Sequence, residues 1–191
     1  MMDIPPLGPM VRHFLNRLHV LYADMDCAYE QVAAVYGFAC HGCADNCCRS
    51  HFHHHTLLER LDLEDGLRQM TNLDHRAVIR RAAAGGVDAE CPLWQDERCR
   101  LYAHRPMICR LHGLPHRLDR PDRVAQVGPG CEEFHRRCGP ARERLDRTPL
   151  YRALAALEGE LRRKTGFRER IHMTVAEMII AGRWGQVGEG G

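Results

Sequence analysis

Apolar residues at Val11, Leu15, Leu18, Tyr22, Met25, Tyr29, Val32 and Tyr36 alternate spacings of four and three. That spacing lays one continuous stripe along a long helix, because positions three and four apart share a helical face. Gly37 supplies the stop. The stripe predicts a helix packed against a core. The same spacing is a heptad, so a partner helix, and with it a homodimer through this first helix, is the alternative. Residues 1–9 carry Pro5, Pro6, Gly8 and Pro9 and predict an extended lead-in. Cys27 falls off the stripe.

Further helices announce themselves by their caps. Thr56-Leu57-Leu58-Glu59 has the form of a capping box, in which hydroxyl and carboxylate satisfy amide donors at a helix start. Gly66 weakens the helix that follows. Leu73 to Ala84 predicts another, with Thr71 or Asn72 as cap and Gly85-Gly86 as stop. Thr148-Pro149 opens a helix whose Leu150, Leu154, Leu157 and Leu161 share a face, closed by Gly166. Thr174-Val175-Ala176-Glu177 is a second capping box, with Met173 placed to staple onto Met178. Between these helices, Cys91 to Cys109 is broken by Pro and charge and predicts loops or a two-stranded ribbon. Arg105 is turned away from helix by Pro106, and Met107 to Leu111 forms a turn or short helix carrying Cys109. Residues 113–129 read as a surface excursion, and residues 183–191 as a mobile tail. The fold class expected is mainly α with little or no β: one helical domain over residues 10–182, built around an irregular cysteine-rich centre.

Composition narrows the function. With 27 Lys and Arg against 25 Asp and Glu, the formal charge of +2 is too small to argue for nucleic acid. Few aromatic residues are present to stack on bases. No apolar run approaches the roughly 20 residues of a membrane helix. Asp3, Arg12 and His13 interrupt any signal-peptide core, so the expected location is cytoplasmic. Ten cysteines in 191 residues then point to metal or redox chemistry, because disulfides are rare in a reducing compartment.

Seven of these thiols form two groups. Cys40, Cys43, Cys47 and Cys48 fall within nine residues as C-x2-C-x3-C-C, and Cys91, Cys99 and Cys109 follow. Thiolates are soft anionic donors that suit zinc, copper(I) and iron–sulfur clusters. One tetrahedral zinc takes four donors, fewer than this region offers. Adjacent Cys47 and Cys48 point in different directions, so one of them serves the core or a second metal, or the centre is polynuclear. A 4Fe–4S cluster spreads four thiolates over a larger volume and tolerates the pattern. Either centre carries a net charge of about −2, which Arg105 and Arg110, bracketing Cys109, are placed to neutralise. His53-His54-His55 invites a metal reading, although three sequence neighbours converge poorly on one ion and a solvated loop explains them as well. Cys131 and Cys138, seven apart, allow a reversible disulfide and hence a thiol switch. No dinucleotide, Walker, nucleophile-elbow or zincin motif is present to mark an enzyme.

The run Cys40-x2-Cys43-x3-Cys47-Cys48, then Cys91-Pro92-Leu93, Cys99-Arg100-Leu101-Tyr102 and Arg105-Pro106-x-x-Cys109-Arg110, resembles the YkgJ-type cysteine cluster proteins, a zinc- or iron-chelating family. The resemblance covers residues 40–109. It implies that Cys40, Cys43, Cys47, Cys48, Cys91, Cys99 and Cys109 are the metal-binding candidates. A similar pattern occurs in flagellin lysine N-methylases, which are associated with an iron–sulfur cluster. That likeness favours a 4Fe–4S cluster over zinc and keeps a cluster-dependent modifying enzyme as an alternative to a metal-binding protein.

Overall fold

The structure, a computed structural model, describes residues 4–40, 47–85, 89–121 and 123–182. Cys43 and the tail over residues 183–191 lie outside the described residues, so the expectations made for them do too. The first helix, α1, spans Pro9–Tyr36 without interruption. Proline sits at its start, where its missing N–H is one the helix would leave unpaired anyway. The lead-in is therefore shorter than the sequence implied. At the other end Gly37 adopts φ 59°, and the N–H of Phe38 reaches back to the carbonyl of Ala33 at 3.0 Å. The left-handed turn costs glycine little and closes the helix.

The stripe is buried within the chain. Val11, Leu15, Leu18, Tyr22 and Met25 are inside, widened by Phe14 and Leu21. They pack chiefly on α2 (Leu57–Arg68), α4 (Met107–Arg110) and α6 (Thr148–Thr165). From Val11 to Met25 the heptad face is covered by the chain's own elements, while Tyr29, Val32 and Tyr36 are half-buried. Leu18 and Met25 are 0% exposed, and truncating either to alanine costs about 2–5 kcal/mol.

Helix α2 is the hub, with ten of its twelve residues buried. The hydroxyl of Thr56 accepts from the N–H of Glu59, as the capping box requires. The carboxylate does not complete the box. Instead Glu158, from α6, accepts from the N–H groups of Leu57 and Leu58 at 2.8 and 2.9 Å. Two orphan donors and the positive end of the helix dipole are met by one buried carboxylate. Helix α3 (Asn72–Ala84) starts at Thr71, whose hydroxyl accepts from Asp74, and packs on α7 (Val175–Ile180). There the expected box is complete: Thr174 and Glu177 cap each other. Helix α6 differs from expectation in its cap. Thr148 is already helical, and its N–H donates to Asp146.

Strands are few and short, yet they exceed the little or no β that was expected. β1 (Trp94–Gln95) and β2 (Arg98–Cys99) form a hairpin whose turn residues, Asp96 and Glu97, both take positive φ. The surface excursion contains β3 (His116–Leu118) and β4 (Gln126–Gly128), antiparallel, with β5 (Leu145–Asp146) parallel on the other edge of β3. Helix α5 (Glu132–Cys138) follows β4, and Phe134 seats it against Phe38 and Leu114. The fold remains mainly α, with α1, α2 and α6 around one apolar cluster and α3, α7 and the β1–β2 hairpin around a second.

Candidate metal centre

The two cysteine groups meet. The N–H of Cys91 donates to the carbonyl of Cys48 at 2.8 Å, which ties the segment after the first group to the start of the second. The thiols follow the backbone. Cys109 and Cys48 both hydrogen-bond to Cys47, and Cys48 also engages Cys91. Cys99 lies close enough for its charge to act on Cys109. Cys47 and Cys48 therefore point to different neighbours while sharing one site. Cys40 is exposed at the end of the α1 exit, and its charge is felt at Tyr29.

The sulfurs divide into donors and acceptors. Hydrogen bonds from Cys109 and then Cys48 hold the Cys47 thiol well below its ordinary range. Cys91 is lowered by its bond from Cys48, against the effect of burial. Cys109 and Cys48, whose protons are engaged by Cys47, are pushed up. Burial raises Cys99 to about 12, although the backbone N–H of Leu101 donates to its sulfur. The N–H of Leu93 does the same for Cys91. Without a cation, four crowded thiols can only share protons; with one, they can all ionise. The donor set fits a soft, thiophilic metal.

Short elements position these thiols. Cys99 is the last residue of β2, fixed by the hairpin with β1. Cys109 rides on α4, and that helix is held at its first residue. Glu59, whose carboxylate does not close its own capping box, accepts the N–H of Met107 at 2.7 Å. Arg81, from α3, donates to the carbonyl of Pro92 at 2.9 Å, and its charge lowers the neighbouring Cys91. A cavity of about 430 Å³ opens beside Cys47, Cys48, Cys91, Cys99 and Cys109, walled on its apolar side by Leu93, Pro106, Val175 and Ile180.

Several expectations change. Arg110 does not serve the sulfurs. Its guanidinium lies over the Tyr22 ring at 4.0 Å, pairs with Asp26 at 2.7 Å and donates to the carbonyls of Arg105 and Ala103. Consecutive helical side chains point about 100° apart, so adjacency to Cys109 gave it no access. Arg105 keeps its electrostatic role, because its charge helps to lower Cys47. His112, which drew no attention in the sequence, acts on Cys47 in the same sense. The histidine run is an extended segment bridged to Met173. His54 faces inward, while His53 and His55 face out against His172, with the His53 and His172 rings stacked at 4.1 Å. Cys131 and Cys138 stand at opposite ends of α5. A helical rise of about 1.5 Å per residue separates their backbones by roughly 10 Å, beyond the reach of a disulfide. Cys131 instead caps α5, its sulfur accepting from the N–H of Phe134.

Comparison with known families decides the class. A family model for CxxCxxCC, described as a "putative zinc- or iron-chelating domain", matches residues 39–139. The chain belongs to this family. The match extends past Cys109, so β3, β4 and α5 with Cys131 and Cys138 are part of the CxxCxxCC domain, which the cysteine spacing alone did not indicate. No curated protein and no solved structure matches the chain. Membership of a family described as zinc- or iron-chelating makes the protein a metal-binding one. No helix among the described residues is long and apolar enough to cross a membrane.

Proposed function

We propose that this CxxCxxCC domain holds one iron–sulfur centre, of the 4Fe–4S kind, through both cysteine groups, with Cys47, Cys48, Cys91, Cys99 and Cys109 joined by Cys40 and Cys43 as the ligand pool. The observation that carries this reading is Cys47, whose thiol bonds with one neighbour from each group, Cys48 and Cys109. The number of thiols supports a cluster over a single zinc: seven cysteines in two groups exceed the four donors that one tetrahedral zinc takes. The adjoining cavity of about 430 Å³ leaves room for a larger centre. Arg105 and Arg81 supply the positive charge that an anionic centre requires.

Anaerobic purification with quantification of iron, zinc and acid-labile sulfide tests the reading. Iron and sulfide near four each, with broad sulfur-to-iron absorption lost in Cys47→Ser, is the expected result. A colourless protein with one zinc would replace the cluster by a zinc–thiolate site.

A further inference from the structure

A second group of ligand-type side chains contains no thiol. Asp62, on α2, is 0% exposed. Its Oδ1 faces two imidazoles, the Nε2 of His19 from α1 at 2.6 Å and the Nδ1 of His104 from the 3-10 turn Tyr102–His104 at 3.2 Å. The ligand atoms of all three residues lie within 4.8 Å of one another. We propose that His19, Asp62 and His104 form a separate binding site for a divalent first-row transition ion.

Four observations carry this. Two imidazoles and one carboxylate on a common face are the donor set that iron(II), cobalt(II) and zinc accept, with positions left open. On an ion with bonds of about 2.1 Å, adjacent octahedral donors stand about 3.0 Å apart, a value that the observed 2.6 and 3.2 Å straddle. The second carboxylate oxygen, Asp62 Oδ2, is buried without a hydrogen-bond partner. A His–Asp–His hydrogen-bonded bridge satisfies Oδ1 alone and leaves Oδ2 a desolvated acceptor, whereas a bidentate carboxylate places both oxygens on the ion. Finally, the fold makes room for the ring of His104. A Cβ on Gly66, one helical turn beyond Asp62, would lie 2.6 Å from that imidazole. The helix tolerates glycine there so that His104 can reach Asp62. His19 is 43% exposed on its side chain, which gives an ion and its waters an entry.

The donors contain no sulfur, so the site is spectroscopically distinct from the cysteine centre. The test is equilibrium dialysis of the protein as purified against cobalt(II), with metal analysis and difference spectra. We expect about one equivalent of cobalt with weak ligand-field bands and no thiolate-to-cobalt charge transfer. His19→Ala, at an exposed position, should weaken that uptake at least tenfold while leaving iron, sulfide and helical circular dichroism unchanged. His104→Gln should do the same. Equal cobalt uptake by wild type and His19→Ala, or cobalt bound only with thiolate charge transfer, would overturn the proposal. Because iron and sulfide are read in the same samples, failure of this site is told apart from failure of the cysteine centre.

Discussion

The carboxylate of Glu59 accepts the backbone N–H of Met107 at 2.7 Å, joining the first turn of α2 to the first residue of the helix that carries Cys109. Glu59 is 4% exposed, and burial raises its pKa despite hydrogen bonds from Thr56 and Met107. Glu59→Ala leaves a buried N–H without a partner, which costs about 1–3 kcal/mol. We expect this variant to lose stability in urea and to retain less metal. Glu59→Gln, which keeps an acceptor oxygen, should recover most of both. Equal metal content in all three proteins would show that α4 needs no tether.

Metal removal should act locally. Thiolate sites contribute on the order of 10–16 kcal/mol in structural zinc peptides, comparable to a domain's whole margin of about 5–15 kcal/mol. We expect chelation to raise hydrogen exchange over residues 47–50 and 89–111, while α1 and α6 keep their protection. Cys47→Ser should reproduce that pattern. Cys27→Ser, at an exposed position of α1, should change stability by less than about 0.5 kcal/mol. Unchanged exchange in the two cysteine segments after chelation would contradict this.

Acid should weaken the fold through His54. It is 3% exposed, and burial, with the neighbouring His55 and His53, lowers its pKa from 6.5 to about 4. The unfolded chain therefore binds a proton at this residue between those values while the folded chain does not. Stability is fully present above about pH 6.5 and falls as pH drops toward 4, by up to about 3 kcal/mol. Urea midpoints of wild type and His54→Gln across this range should converge toward acid. Parallel curves would mean that His54 does not set the slope.

The β1–β2 turn offers a stabilising change. Asp96 and Glu97 take φ values of 50° and 58°, a conformation that costs a residue with a Cβ roughly 1–2 kcal/mol. Two-residue hairpin turns prefer Asn-Gly for that reason. Glu97→Gly should raise the urea midpoint by the equivalent of about 1 kcal/mol without altering metal content.

What the sequence disclosed was local. The α1 stripe, the Gly37 stop and the Thr174–Glu177 box are complete within a few residues, and each is where the pattern placed it. The Thr56–Glu59 segment has the same form, yet its carboxylate goes elsewhere, to the N–H of Met107 on an element distant in sequence. Arg110 looked like a partner for Cys109 and is held by Asp26 instead. The strands at 116–118 and 126–128 were hidden in a segment rich in Pro, Arg and Asp, and their pairing became visible only with the register. His19, Asp62 and His104 carry no signal in sequence at all, since they come from three elements and form no spaced motif. Gly66 was the nearest clue: a glycine in an otherwise good helix, there for the ring of His104.

The carboxylate that caps α2 also imposes an order on biosynthesis. Glu158 caps the first turn of α2, Glu59 in that turn holds Met107, and Met107 begins the helix of Cys109. The ribosome makes every cysteine of the two groups before it makes Glu158. At about 5–20 residues per second, a nascent chain spends several seconds with all those thiols translated and their scaffold unfinished. During that interval they are open to oxidation and to whichever thiophilic ion arrives first.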